Sequence, residues 1–206
     1  MHWLRLLLFF ALAGSLPQFT NTELLPADPM LQEFVQRVRP QARIGDEVPV
    51  TDEMFSEMRA TMKQYPKVCT APHRLAVHAF QVPVTEKDWE AVAVFGRGLC
   101  YCSMIGNCRL WIFRIRKGRL HHIFDTDTAE KFGFVNSPSG NPLLVVWTRE
   151  SAVEKSALVY KGDRGAYAEV ASWTELYKYE DEDEEFRVHD TPKIYSDMPL
   201  GAFLPD

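Results

Sequence analysis

The chain has 206 residues, of which 46% are apolar and 25% are charged, and its formal net charge is −5. This composition is typical of one globular domain with short appendages, not of a fibrous or disordered chain. A nucleic-acid surface needs an excess of Lys and Arg to neutralise phosphates, so the acidic balance argues against a nucleic-acid partner. It argues equally against attraction to anionic lipid.

Residues 1–15 have the pattern of a secretory signal peptide. Arg5 gives a cationic start, residues 6–12 are apolar, and Ala13 and Ser15 are small residues suited to cleavage. Such a segment is too short to span a bilayer as a mature helix. We therefore expect a periplasmic or secreted protein with no stable membrane insertion after cleavage. Retention of the segment as an N-terminal anchor is the alternative.

The rest of the chain divides into three parts by composition. Residues 16–27 have no apolar period and contain two prolines, which favours a flexible leader. Residues 28–179 carry the periodic patterns of a single folded domain. Residues 180–206 are predicted to be an acidic, proline-containing tail that starts with six consecutive acids. Such a run repels itself and favours a solvated segment, with calcium capture by its carboxylates as the alternative.

Two amphipathic helices are predicted at the start of the domain. The first begins with Asp28 as N-cap and Pro29 at the first helical position, and Pro40 ends it. The second has Thr51 as N-cap and is predicted over residues 52–65. The apolar positions at helical spacing are Leu31, Phe34, Val35, Val38, Met54, Phe55, Met58, Met62 and Tyr65.

Beyond residue 66 the apolar period changes from helical to alternating, which predicts a mainly antiparallel sheet of about five to seven strands. In the clearest strand, residues 109–116, the side chains of Trp111, Phe113 and Ile115 point toward the predicted core. Residues 117–118 are suited to a two-residue turn. The other strands are predicted at residues 75–82, 88–95, 119–124, 143–148, 151–160 and 166–170, with 125–136 as a connector of possible helical character. Residues 173–179 fit a last strand or a helical turn.

The predicted fold class is therefore α+β, with two N-terminal helices packed on this sheet. Four cysteines in a chain predicted to be exported also lead us to expect disulfide bonds. We favour Cys102 with Cys108, which closes a small loop, and Cys69 with Cys100, which ties the end of the second helix to the sheet. Cys100 with Cys108 is the main competing pair.

The Cys-x-Cys-x5-Cys spacing also allows a soft-metal (Zn or Cu) site. Its ligands would be the thiolates of Cys100, Cys102 and Cys108, with Cys69 or His121 as the fourth. The spacing matches no zinc-ribbon pattern, and the histidine that follows His121 points to the opposite face of its strand. We therefore expect disulfides at these positions and no metal or other cofactor.

Motifs for a catalytic nucleophile, a zinc hydrolase or a phosphate-binding loop are absent from the sequence, which disfavours an enzyme. A small cell-envelope hydrolase built from residues distant in sequence remains an alternative. The leading hypothesis is a non-enzymatic binding or interaction domain that contacts a cell-envelope protein or a small ligand through the disulfide-closed loop. The candidate contact residues in this loop are Tyr101, Met104, Ile105 and Asn107.

A resemblance to known proteins supports the expectation of export. Residues 102–113, 143–147 and 151–152 resemble a loose group of uncharacterised exported bacterial proteins with a Cys-Gly-x-x-Gly-Asn-Cys loop before a strand carrying Trp or Phe. Ser103 replaces the first glycine of that loop. The matching residues are Cys102, Gly106, Asn107, Cys108, Trp111, Phe113, Ser151, Ala152 and Tyr160. The resemblance covers about a third of the chain and implies an exported, disulfide-stabilised protein without an assigned activity.

Overall fold

Two five-stranded antiparallel sheets form the body of the protein. The computed structural model describes residues 29–62, 76–83, 90–137, 142–163, 166–177, 179–182, 185–188 and 193–195. The first sheet contains, in spatial order, β1 (Glu47–Val48), β2 (Val77–Gln81), β3 (Glu90–Gly96), β4 (Cys108–Arg116) and β5 (Arg119–Ala129). The second sheet contains β6 (Lys131–Val135), β7 (Leu143–Arg149), β8 (Glu154–Asp163), β9 (Ala166–Leu176) and β12 (Lys193–Tyr195), in the order β12-β9-β8-β7-β6. A separate hairpin pairs β10 (Tyr179–Glu182) with β11 (Glu185–Val188).

Two helices cover the outer faces of this pair of sheets. Helix α1 (Pro29–Gln41) packs its apolar stripe on the second sheet, against Trp147 and Trp173. Helix α2 (Asp52–Thr61) packs on the first sheet, against Trp111 and Phe113. The layers therefore follow the order α2, first sheet, second sheet, α1. With two helices and mostly strand in the described residues, the fold is of an α+β or mainly-β class. The prediction of two helices packed on one sheet of about five to seven strands is wrong, because each helix packs on a different five-stranded sheet.

Both faces of the central strands are apolar, and this is why two sheets form instead of one. In β4, Trp111 and Phe113 face α2, while Leu110 and Ile112 lie in the core between the sheets. All four side chains are buried. A strand buried on both faces needs a layer on each side, so the first sheet requires the second sheet as well as a helix.

The chain crosses from the first sheet to the second at Glu130, the single residue between β5 and β6. The prediction of a connector with helical character over residues 125–136 is therefore wrong. The alternation that was missed is that of Phe132 and Phe134, whose side chains are buried in the core between the sheets. The segment after α1 protects the edge of β6, because Arg43 and Phe134 form an antiparallel bridge.

The helix starts agree with the sequence where they are described. Helix α1 begins at Pro29 and continues through Pro40, with Asp28 outside the described residues. Helix α2 begins at Asp52, and the Thr51 side chain accepts a hydrogen bond from the Met54 amide at 3.2 Å. Within the described part of the chain, no helix has the length and apolar character needed to cross a membrane.

Parts of the predicted tail belong to regular structure. Strand β9 continues to Leu176, and β12 pairs with it at the edge of the second sheet, with Ile194 opposite Glu175. The acidic run contributes to the backbone of the β10–β11 hairpin. The predicted signal peptide and leader, residues 1–27, lie outside the described residues.

Candidate functional site: a disulfide-closed loop with an apolar tip

The connection between β3 and β4, residues 97–107, is a loop of two consecutive tight turns. In the first turn, the carbonyl oxygen of Gly98 accepts hydrogen bonds from the amides of Tyr101 and Cys102. In the second, the Ser103 amide donates to the carbonyl oxygen of Asn107 at 2.7 Å, beside the disulfide bond that joins Cys102 to Cys108. A glycine with positive φ occupies each turn (Gly98, +74°; Gly106, +92°), where other residues are strained. The loop therefore has a defined main-chain path.

Asn107 fastens this loop to the second sheet. Its side-chain amide donates to the carbonyl oxygen of Arg149 at 2.8 Å, and its side-chain oxygen accepts from the Arg149 amide at 2.8 Å. Asn107 is buried, with 5% of its surface exposed. The sequence-based choice of Asn107 as a contact residue for a partner is therefore wrong, because both of its polar atoms are used inside the protein.

Tyr101 is the second internal anchor of the loop. Its ring packs edge-on against Trp111 with centroids 5.9 Å apart, and the residue is 4% exposed. Gly96 makes room for it, since a Cβ atom at this position would lie 2.3 Å from the Tyr101 Cβ. Tyr101 is thus part of the core beneath α2, and its prediction as an exposed contact residue is also wrong.

The remaining two predicted contact residues form an exposed apolar tip. Met104 is fully exposed and Ile105 is 51% exposed, and Leu99 in the first turn is 92% exposed. Of the five large apolar side chains that are exposed in the described residues, these three lie in one loop. Leu99 was not selected from the sequence, although its position directly after the turn glycine was the available signal. We call Leu99, Met104 and Ile105 the apolar tip.

The cysteines in the described part of the chain form disulfide bonds and therefore have a structural role. The Cys102–Cys108 bond removes two of the three thiolates that the soft-metal interpretation requires. Cys100 is also disulfide-bonded, and Cys69 lies outside the described residues, so the Cys69–Cys100 pairing stays a prediction. His121 pairs with Arg114 in the β4–β5 hairpin, six residues along β4 from Cys108. The structure therefore does not bring the predicted ligand set together.

A buried carboxylate cluster lies between α1 and the second sheet. Glu175 is fully buried and accepts hydrogen bonds from Trp147 Nε1 at 3.2 Å, Trp173 Nε1 at 3.0 Å and the Tyr177 hydroxyl at 2.6 Å. The guanidinium group of Arg39, in α1, forms an ion pair with Glu175, with 3.4 Å between Nη2 and Oε2. Burial and the hydrogen bond to Glu175 raise the pKa of Tyr177. Because its oxygens are saturated by protein donors, this carboxylate is suited to holding α1 in place.

The crossing between the sheets carries a second charge cluster. Glu130 forms ion pairs with Arg149 and with Lys155, the latter at 2.8 Å. Burial alone would raise the pKa of Glu130, but the hydrogen bonds and positive charges of Lys155 and Arg149 outweigh it and lower that pKa. The Lys131 Nζ atom lies 4.6 Å from the centre of a Trp147 ring, and burial lowers the pKa of its ammonium group. The cluster fixes the end of β7 to which Asn107 binds.

Neither protein-family models nor curated proteins nor solved structures give a match to this chain. The argument for function therefore rests on the geometry of the loop and on the chemistry of its exposed side chains.

Proposed function

We propose that this protein is an exported, disulfide-stabilised and non-enzymatic binding domain that recognises a partner through its apolar tip. The observation that supports the proposal is the exposure of Leu99, Met104 and Ile105 on one short loop whose base is fixed. Most of the chain's other large apolar side chains in the described residues are buried in three core clusters. A group of exposed apolar side chains on one loop is typical of an interaction site.

The fixed base of the loop favours binding because little conformational entropy has to be lost. The Cys102–Cys108 bond closes the second turn, Asn107 holds the Arg149 main chain, and Tyr101 is packed in the core. The main chain of the tip is therefore held in one arrangement before the partner arrives. Such pre-organisation increases affinity by reducing the ordering cost of association.

The partner that fits an apolar tip of three side chains is a protein with an apolar pocket. Met104 supplies an unbranched side chain that adapts to an irregular surface, and Ile105 supplies a branched one of fixed shape. Burial of one such side chain contributes about 1.5–3 kcal/mol. In the exported compartment, this partner is a protein of the cell envelope.

The binding proposal is tested with a matched pair of double variants. Met104→Ser/Ile105→Ser removes the apolar side chains of the tip, whereas Met30→Ser/Ile44→Ser removes two exposed apolar side chains elsewhere (60% and 49% exposed). A partner captured from cell-envelope extract is purified, and its dissociation constant is measured with each variant. We expect the tip variant to weaken binding at least about tenfold, since burial of even one of these side chains contributes more than 1.4 kcal/mol. Equal binding by the tip variant and the wild type would contradict the proposal.

Export is tested separately, through the thiols. The full chain is expressed with and without residues 1–15, alkylated under denaturing conditions without reductant, and weighed intact. We expect no alkylated cysteine in the exported protein, because an oxidising compartment keeps the disulfides formed. The same mass locates any cleavage near Ala13 or Ser15. Alkylation of several cysteines in the exported fraction would count against the proposed compartment.

A further inference from the structure

The end of the β4–β5 hairpin carries four basic residues on one face. Arg114 lies opposite His121 in the register, and Arg116 lies opposite Arg119. Because side chains two positions apart in a strand point to the same side, the two pairs form one block on the surface of the sheet. We call Arg114, Arg116, Arg119 and His121 the basic face. It concentrates basic residues on a chain whose formal net charge is −5.

The opposite face of the same hairpin is apolar and lies under α2. It carries Ile115 opposite Leu120, and Leu120 packs against the core beneath α2. Two acids reach the hairpin on this side. Glu90 of β3 is opposite Ile115, and Glu53 of α2 accepts a hydrogen bond from the Leu120 amide at 3.0 Å. Beside the basic face, β3 instead contributes Ala91. The hairpin therefore keeps these acids away from its basic residues.

Three side chains of the basic face are open to an external partner. Arg116, Arg119 and His121 are exposed. Among the residues that the structure describes, no carboxylate lies within ion-pair distance of these three side chains. Like charges placed directly opposite each other on paired strands are destabilising, so Arg116 and Arg119 weaken the hairpin of the free protein. A local arrangement that costs stability in this way is typical of a functional surface.

The surroundings of the basic face determine the shape of the partner that can reach it. Leu110 and Ile112, which lie on the same side of β4, pack in the core between the two sheets. The second sheet therefore projects from the side of the hairpin that carries the basic face. A flat membrane surface cannot lie along this face without meeting the second sheet, whereas a slender chain can run beside it.

The spacing of the basic residues matches that of an extended acidic peptide. Residues on the same side of a strand are about 6.6–6.8 Å apart, both from Arg116 to Arg114 and from Arg119 to His121. Carboxylates at every second position of an extended peptide have the same repeat. The guanidinium group of arginine binds a carboxylate through two parallel hydrogen bonds, so the contact has a preferred geometry as well as opposite charge.

We propose that the basic face binds an acidic segment of another protein, in extended conformation and with carboxylates at alternate positions. One carboxylate of the segment binds at the Arg116–Arg119 pair and the next at the Arg114–His121 pair. The apolar tip lies beyond the other end of β4, because its loop precedes Cys108 whereas Arg116 ends the strand. The contact uses no residue of the apolar tip, so it is independent of the binding proposed above.

Synthetic peptides with a fluorescent label test the contact with the full exported protein. The first peptide alternates glutamate with threonine, the second has the same composition with its glutamates in one block, and the third has glutamine in place of glutamate. Fluorescence anisotropy gives the dissociation constants. We expect the alternating peptide to bind at least about threefold more tightly than the block peptide, and the glutamine peptide not to bind. Equal binding of the alternating and block peptides would overturn the proposal.

Salt and substitution identify the surface. Raising the salt from about 10 mM to about 1 M shortens the Debye length from about 30 Å to about 3 Å and should weaken binding of the alternating peptide. Arg116→Ser/Arg119→Ser should weaken it at least about threefold by removing two exposed ion pairs. The same variant should raise the melting temperature of the free protein, because it removes the repulsion between the two arginines. Arg37→Ser/Arg59→Ser removes two exposed arginines from the helices and should leave peptide binding intact.

Three further results would overturn the proposal. An equal loss of binding in the helix control would show a general effect of net charge. A lower melting temperature in Arg116→Ser/Arg119→Ser would show that the arginines hold the hairpin and that the loss of binding is a folding defect. Binding to vesicles of phosphatidylserine and phosphatidylcholine, without binding to the alternating peptide, would assign the basic face to a membrane.

Discussion

The Asn107 side chain holds the main chain of Arg149 through two hydrogen bonds of 2.8 Å each, across 42 residues of sequence. This contact joins the disulfide-closed loop of the first sheet to the end of β7 in the second. The Arg149 side chain continues the connection to Glu130 at the crossing between the sheets. The loop and the crossing therefore behave as one structural unit.

Replacing Asn107 by alanine should destabilise the protein by about 2 kcal/mol, because it leaves the amide and carbonyl of Arg149 without their partner. The measurement is urea unfolding monitored by tryptophan fluorescence. Asn136→Ala, at an exposed position, is the matched control and should change the stability by less than about 0.5 kcal/mol. Similar values for the two variants would show that the Asn107 contact does not hold the loop.

Replacing both Cys102 and Cys108 by serine should lower the free energy of unfolding by about 2 kcal/mol, as expected for the loss of a disulfide that closes a short loop. Thermal unfolding, with and without reductant, measures this effect. Reductant should destabilise the wild type by at least as much. The idea would fail if the double variant were as stable as the oxidised wild type.

Substitution of Glu175 should reduce the free energy of unfolding more than substitution of Asn107 or of the two cysteines. Glu175→Leu leaves the indole N–H groups of Trp147 and Trp173 without an acceptor and Arg39 without its ion pair, which should cost about 3–5 kcal/mol. Glu175→Gln keeps an acceptor oxygen and should cost less. Glu169→Gln, on an exposed position of the same strand, is the control. Denaturant unfolding gives the values, and unchanged stability in Glu175→Leu would show that the cluster does not hold α1.

The lowered pKa of Glu130 predicts a pH dependence of stability. A carboxylate whose pKa is lower in the folded than in the unfolded protein stabilises the fold above the unfolded value, about 4.3, and this contribution is lost as the pH falls further. The stability difference between wild type and Glu130→Gln should be constant near neutral pH and shrink below about pH 4.3. Glu150→Gln, at an exposed position, is measured over the same pH range as the control for the removal of one carboxylate. A stability difference for Glu130→Gln that does not change with pH would mean that its ion pairs do not stabilise the fold.

The turn at residues 117–118 predicts a stabilising substitution. Lys117 has φ +52° and Gly118 has φ +72°, and among residues with a side chain asparagine accepts this region most readily. Lys117→Asn should raise the unfolding free energy by about 0.5–1 kcal/mol. Lys117→Gln removes the same charge without the turn preference, so it separates the two effects. A gain of equal size in Lys117→Gln would attribute the stabilisation to charge alone.

Local patterns were sufficient where neighbours in sequence decide the structure. The start of α2 follows from Thr51 and the acids after it, and the turn at residues 117–118 follows from a glycine between two alternating strands. The crossing at Glu130 could not be found this way. The polar residues around Glu130 do not show the alternation that predicts a strand. Strand β6 forms there because it pairs with β7, and this pairing outweighs the local conformational preference.

The contact residues of the loop show the same division. Met104 and Ile105 could be placed at an exposed tip because a short closed loop has no interior of its own. Tyr101 and Asn107 could not be recognised as internal anchors, since Trp111 and Arg149 reach them only after the sheets have formed. Composition and spacing do not show which residues of a loop pack against the rest of the protein and which are exposed.

The sequence by itself determined the strand and helix periods, the turns with glycine, and the apolar character of both faces of the central strands, because these depend on residues a few positions apart. The tertiary structure alone decided that the strands divide into two sheets and that Glu175 is satisfied by Trp147, Trp173, Tyr177 and Arg39. Those outcomes depend on which distant strands pair. That choice is made by burial of the whole apolar surface at once and cannot be read from any single segment.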